Sequence, residues 1–190
     1  MTIINDTTVV VFTYAELKTV LEGTNNYSYI YFGANITLTA GIKIASTKTN
    51  ITIDGTYQNV RYTYEDMKNL SASNTIYVSS SNTTKVTVQN MDITGYNYYG
   101  VIYVPESNTY ANTVIEYNNV TYEGPQMIYH PNGLTRIISS NITIKDVKQL
   151  LATKWLNVTK SKLVEQPQSI TYQKATHHFG SETRVLALQF

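Results

Sequence analysis

Two octapeptides set the terms for the whole chain. Val88-Gln89-Asn90-Met91-Asp92-Ile93-Thr94-Gly95 lines up with Tyr117-Asn118-Asn119-Val120-Thr121-Tyr122-Glu123-Gly124 at a step of 29 residues (117 − 88). Apolar residues hold the first, fourth and sixth places, Asn the third and Gly the eighth. A self-similar unit of this length is the mark of stacked repeats, each too small to bury its own apolar face. The spacing extends in both directions. Ile53-Asp54-Gly55, Val88-Gln89-Asn90, Tyr117-Asn118-Asn119 and Ile144-Lys145-Asp146 align, each two residues after Ile51, Val86, Ile115 or Ile142. A weaker fifth copy is Ile170-Thr171-Tyr172. The third position holds Gly55, Asn90, Asn119 and Asp146, residue types that accept a left-handed backbone, so one sharp turn per rung is expected there. Stacked Asn90 and Asn119 are placed to hydrogen-bond to one another along the axis.

Between these markers the chain alternates with a period of two: Ile30-x-Phe32, Ile36-x-Leu38, Ile42-x-Ile44, Ile76-x-Val78 and Ile102-x-Val104 are examples. Each pair shares one face of a strand. Strands this short need many partners to be stable. The one helix signal precedes them. Thr13 and Glu16 form a capping box, Tyr14, Leu17, Val20 and Leu21 share a helical face, and Gly23 is the stop. Such a helix would cover the open apolar end of the first rung. The expected fold is all-β, a stack of parallel strands with an N-terminal capping helix. The expected layout is a single domain: 1–28 strand and capping helix, 29–148 regular rungs, 149–190 irregular C-terminal rungs. Insertions are expected at 56–75 and 105–113. Leu150, Leu151, Trp155 and Leu156 read as a segment tucked onto the core, and Leu186-x-Leu188-x-Phe190 as a terminal strand that is either the last rung or a truncation point.

Composition narrows the function. Charged residues make up 14% of the chain, against roughly 25% in ordinary soluble domains. The formal net charge is +1, without the basic footprint a nucleic-acid partner needs. There is no cysteine, and neither an export signal nor an 18-residue apolar run is visible. The chain is expected not to insert into a membrane, and to be a monomer or part of a larger chain. No P-loop, dinucleotide fingerprint or Gly-x-Ser-x-Gly is present, so no cofactor is expected. His177 and His178 are adjacent rather than at ligand spacing, and no metal is expected. The Asn-x-Ser/Thr triplets follow from an Asn- and Thr-rich composition and are not read as glycosylation sites.

At this point the residues carry a resemblance. Thr13-Tyr14-Ala15-Glu16-Leu17-Lys18, Ile51-Thr52-Ile53-Asp54-Gly55 and Tyr122-Glu123-Gly124-Pro125-Gln126-Met127-Ile128-Tyr129-His130-Pro131-Asn132-Gly133 resemble the pectate lyase-like adhesive domain of Gram-positive surface proteins. The likeness spans roughly residues 9–150. It implies a right-handed parallel β-helix, an extracellular setting at the cell surface or wall, and a binding or structural role. It supplies no catalytic set to carry over.

The candidate binding residues follow from side-chain chemistry. Tyr96, Tyr98, Tyr99 and Tyr103 cluster in sequence, and Tyr57, Tyr62 and Tyr64 form a second group. Tyrosine joins an apolar ring to a polar tip, which suits contact with sugar or protein. Asp92 and Glu123, at the fifth and seventh positions of neighbouring repeats, are placed on one outer face as an exposed acidic pair. The leading expectation is a non-catalytic adhesion module that contacts glycan or protein. Two alternatives stand beside it: a polysaccharide lyase or glycoside hydrolase with an unrecognised site, and a structural spacer of a larger surface protein. Arg61, Arg136 and Arg184 read as solvated or salt-bridged surface groups, and Asp54 as turn-forming.

Overall fold

The computed structural model describes residues 1–68, 71–145, 162–163, 169–173 and 183–185, the last three segments as backbone alone. The period-two pattern sets its architecture. Strands with one apolar face must bury it against another sheet, and here the chain alternates between two sheets. In order it forms β1 (Thr2–Asn5), β2 (Thr8–Val11), α1 (Tyr14–Glu22), β3 (Tyr29–Phe32), β4 (Ile36–Thr37), β5 (Ile42–Ile44) and β6 (Asn50–Asp54). A hairpin of β7 (Thr56–Tyr57) and β8 (Val60–Arg61) precedes β9 (Thr63–Glu65), β10 (Ile76–Val78), β11 (Lys85–Thr94), β12 (Ile102–Tyr103) and β13 (Val114–Gly124). Then come β14 (Ile128–Tyr129), β15 (Leu134–Ile138), β16 (Asn141–Lys145), β17 (Lys162–Leu163), β18 (Ser169–Gln173) and β19 (Thr183–Val185).

The larger sheet runs β1-β2-β3-β6-β11-β13-β16-β18-β19, with β4, β9, β15 and β17 on side paths; the second runs β14-β12-β10-β5. Pairing is parallel except at β1/β2, β7/β8 and β18/β19, so the larger sheet is mixed. The fold is all-β with α1 as the one α-helix among the described residues. Ile, Val and Leu from both sheets fill the space between them, with Ile30, Ile42, Val78, Val86 and Val104 fully buried.

Most of the expected register holds. Ile53 pairs with Val88 and Val88 with Tyr117, and Ile142 and Ile144 pair with Ile170 and Tyr172. One alignment is corrected. Tyr117 pairs with Ile137, not Ile144; Ile142 and Ile144 pair instead with Tyr122 and Gly124. The step there shrinks to 20 residues (137 − 117). The strand that supplies it, β15, hides from a hydrophobicity pattern. Its inward residue Thr135 is polar, fully buried, and hydrogen-bonded by its Oγ1 to His130 Nδ1 at 3.1 Å.

The turn positions divide in the same way. Asn90 and Asn119 have φ of 54° and 51°, in the left-handed region as expected, and the next such residue is Ser139 at 48°. Asp146 lies outside the described residues. Gly55 has no positive φ; it is small because a Cβ there would sit 2.3 Å from Met91 Cβ and 2.8 Å from Asn90 O. The stretch expected as an insertion at 56–75 begins with the β7–β8 hairpin, whose Gln58 and Asn59 both have positive φ, the two-residue turn that suits twisted strands. Within the same stretch β9 rejoins the larger sheet, between β4 and β11.

The capping helix starts where the sequence places it. Thr13 Oγ1 accepts the Glu16 N–H at 3.2 Å, and the Glu16 carboxylate accepts from Phe12 N at 2.7 Å and pairs with the Met1 amino group. Gly23 closes the helix through its N–H to Thr19 O, in an extended conformation. Leu17, Val20 and Leu21 are buried, and α1 packs against β2 and against β5, the end strand of the second sheet.

Candidate functional site

The second sheet carries the most distinctive outer face. Ile42, Ile76, Ile102 and Ile128 are in register and point into the core, so the residues that follow them, Lys43, Tyr77, Tyr103 and Tyr129, form a column on the opposite face. Tyr99, from the segment before β12, joins the column. Its ring centroid is 5.5 Å from Tyr103, edge-on at 88°, and 5.6 Å from Tyr129; Tyr103 and Tyr129 are 5.2 Å apart. Tilted and edge contacts are the arrangement that aromatic quadrupoles favour. All three rings are half-buried.

The segment that carries Tyr99 is held from below. Gly100 has φ of +75°, and a Cβ there would meet Tyr129 N at 2.7 Å and Met127 O at 2.8 Å. Val101 N donates to Met127 O, and Tyr99 N to Asn97 Oδ1. Asp66 is 2% exposed, and its carboxylate accepts the N–H of Met67 at 2.7 Å and of Asn97 at 3.1 Å. Burial pushes that carboxyl up to about 6, against the backbone donors that pull it down.

Burial also raises the phenols of Tyr103 and Tyr129, and Glu106 adds to the rise in both. Both therefore stay protonated at neutral pH, each a donor and an acceptor.

The sequence-based candidates separate. Tyr99 and Tyr103 come together. Tyr98, between Tyr99 and the buried Asn97, is turned inward and 7% exposed, which removes it from the surface. Tyr96 stands apart with the Lys68 ammonium 4.7 Å from its ring centroid. Asp92 and Glu123 share one face of neighbouring strands in offset register, Asp92 opposite Thr121 and Glu123 opposite Thr94. Arg61 holds Asp92 at 2.9 Å, and Lys145 holds Glu123. In the second tyrosine group, Tyr64 is a core residue, Tyr62 packs partly buried against the core, and Tyr57 contacts Tyr31 at 5.7 Å. Arg136 is salt-bridged to Glu116 at 3.7 Å. The side chain of Arg184 and the His177–His178 pair lie outside the description.

Tyr77 and Tyr129 are the residues that clustering along the sequence misses. A signal for them exists. The dipeptide Ile-Tyr recurs at 76–77, 102–103 and 128–129, at steps of 26 residues (102 − 76 and 128 − 102).

Asp54 does more than form a turn. Its carboxylate accepts from Tyr29 Oη at 2.8 Å, Gln89 Nε2 at 2.7 Å, Asn90 Nδ2 at 3.1 Å and Thr56 N at 2.9 Å. Asn119 Nδ2 donates to Asn90 Oδ1 at 2.9 Å, so the expected asparagine ladder exists and ends on Asp54. Among the described residues no group of three His, Cys, Asp or Glu is placed to hold a metal ion, and no helix is long and apolar enough to cross a membrane.

A family model described as a pectate lyase-like adhesive domain matches residues 8–129. The chain belongs to that family. The match takes in the capping helix, the asparagine ladder and all four tyrosines of the second-sheet face. No curated protein matches the chain. Among solved structures it is similar to L. reuteri 53608 SRRP, with a TM-score of 0.52 and 21% identity, over 76% of this chain and 46% of that one. This chain therefore aligns with less than half the length of that relative, and the likeness concerns the fold.

The motif segment that carries the family resemblance has a packing role here. The Tyr122 hydroxyl lies against two glycines, 2.3 Å from a Cβ built on Gly95 and 2.5 Å from one built on Gly124, and it accepts the Gln126 N–H. Gly133 backs onto the His130 imidazole in the same way, 2.0 Å from Nε2 for a built Cβ.

Proposed function

We propose that this chain is a non-catalytic adhesion module displayed outside a bacterial cell, wound as a right-handed parallel β-helix, that holds glycan or protein on the outer face of its second sheet. The observation that carries the reading is the group of Tyr99, Tyr103 and Tyr129, three half-buried rings within 5.6 Å of one another, in a family described as adhesive. Aromatic side chains of this kind are enriched where proteins make contacts. Parallel pairing of successive strands in both sheets supports the β-helix. The non-catalytic reading is supported by the ion pairs that engage both outer acids, Asp92 with Arg61 and Glu123 with Lys145.

The test is retention of the purified chain on arrayed glycans and on intact cells, alongside an assay for unsaturated products from uronic-acid polymers. Retention that falls with Tyr103→Ala plus Tyr129→Ala, without product formation, is the expected result. Turnover would replace this reading with a lyase, and the absence of any retention would leave a spacer.

A further inference from the structure

Glycine directly follows an aspartate or asparagine at two places in this chain, Asp54-Gly55 and Asn132-Gly133. Such pairs share one chemistry. The glycine nitrogen is one ring closure away from the side-chain Cγ before it, and glycine has no Cβ to obstruct the approach. Attack of that nitrogen on Cγ gives a five-membered succinimide, the reaction that makes asparagine thermolabile.

The fold treats the two pairs in opposite ways. Asp54 is 4% exposed, and its carboxylate accepts from Tyr29, Gln89, Asn90 and the Thr56 N–H. The Gly55 N–H donates to Gln89 O at 2.9 Å. Nucleophile and electrophile are both tied down. Asn132 and Gly133 lie half-buried in the turn between β14 and β15. Among the described residues no hydrogen bond engages the Asn132 carboxamide or the Gly133 N–H. The turn also cannot give up its glycine. A Cβ built on Gly133 would sit 2.0 Å from His130 Nε2 and 2.6 Å from the backbone oxygen of Thr113. His130 is 1% exposed and bonded to Thr135, so it has no room to withdraw. Packing thus holds in place the glycine that makes Asn132 reactive.

We propose that Asn132 is a site of spontaneous deamidation in the folded protein. The Gly133 nitrogen gives its proton to water as its bond to Asn132 Cγ forms. The Cγ–Nδ2 bond breaks, and the nitrogen takes up a proton and leaves as ammonia. Water then opens the succinimide at either carbonyl, to aspartate or isoaspartate. One negative charge is added, which takes the formal net charge from +1 to 0 (1 − 1). Isoaspartate also lengthens the backbone by one carbon in the connection that leads from Tyr129 to β15.

The test incubates the whole chain near neutral pH, folded and in parallel unfolded in urea, and follows both sites by peptide mass spectrometry and by enzymatic methylation of isoaspartate. The Asn132 peptide of the folded chain should gain about one dalton. Its rate should lie within about tenfold of the unfolded rate, because no hydrogen bond must break first. Isomerisation at Asp54 should be at least about tenfold slower in the folded chain than in the unfolded one. Asn132→Gln, whose attack would need a six-membered ring, should abolish the gain at 132 and leave the unfolding midpoint unchanged. Conversion of Asn132 more than about tenfold slower in the folded chain than in the unfolded one overturns the inference. So does a folded chain in which Asp54 isomerises as fast as Asn132 deamidates.

Discussion

Two outer regions of this molecule are built from the same alternating strands and treat their polar side chains in opposite ways. At the bend of the larger sheet, Tyr29, Asp54, Gln89, Asn90 and Asn119 turn toward one another and form a continuous hydrogen-bonded run across β3, β6, β11 and β13. On the second sheet, Tyr99, Tyr103 and Tyr129 contact each other chiefly as rings. A satisfied polar network rigidifies the place where the chain bends. A half-buried aromatic group keeps capacity for another molecule. The comparison assigns stability to the first region and recognition to the second, and it can be broken from either side.

The largest effect is expected at the network. Asp54→Ala removes the acceptor for four donors at once, three side chains and the Thr56 N–H. Leaving partly buried donors without partners should cost about 3 kcal/mol, read as a lower denaturant midpoint. Glycan retention under native conditions should survive.

A smaller loss is expected at the glycines that seat Tyr122. Gly95→Ala places a Cβ 2.3 Å from the Tyr122 hydroxyl. The ring is buried and cannot swing aside, so overpacking of about 2 kcal/mol is expected. Gly95→Ala combined with Tyr122→Phe removes the hydroxyl that is struck and should recover part of the loss. No recovery would place the strain in the backbone instead.

The pH profile sharpens the comparison further, because the two groups below the tyrosine face work against each other. His130 is pulled down to about 4 by burial. The unfolded chain therefore binds more protons than the folded one below pH 6.5, and stability falls as pH drops from there toward 4. Asp66 is raised to about 6. The folded chain then binds more protons than the unfolded one between the ordinary carboxylate range and pH 6, and its contribution to stability rises as pH drops through that window. Between pH 6 and 4 the two should cancel to within about 1 kcal/mol. His130→Gln removes one side. Relative to the unsubstituted chain, its denaturant midpoint should increase on acidification over this range; a parallel fall would contradict the assignment.

The smallest stability effect is expected at the margin of the tyrosine face. Tyr77→Ala, one strand away from the three-ring group, should shift stability by less than about 1 kcal/mol, as for other partly exposed positions. It should weaken retention less than Tyr103→Ala. A loss equal to that of Tyr103→Ala would extend the contact surface along the whole column.

Much of this was legible in the sequence, for a physical reason. Asn90 and Asn119 announce a left-handed turn because few other residues accept that backbone, and the step between them equals the true strand register. The capping helix was legible because Thr13 and Glu16 act locally. What failed depended on contacts distant in sequence. Ile144 was aligned with Tyr117 because β15, which intervenes, buries Thr135 against His130 and so breaks the apolar pattern. Ser139, the turn residue of that passage, carries no such preference in its side chain. Gly55 was expected for its backbone freedom and is present for its size. Tyr98 and Tyr99 are neighbours with opposite fates, set by how Asp66 and Asn97 hold the segment. Asp92 and Glu123 faced outward as expected, but Arg61 and Lys145 had already neutralised them.

One paired measurement bears most directly on the division between a stabilising bend and a recognising face. On the doubly substituted variant Tyr103→Ala plus Tyr129→Ala, the denaturant midpoint and the retention on glycan are recorded side by side with the unsubstituted chain. A midpoint close to that of the unsubstituted chain, with retention lowered at least about tenfold, is the predicted outcome. Retention that persists, or that disappears only together with the folded state, would contradict it.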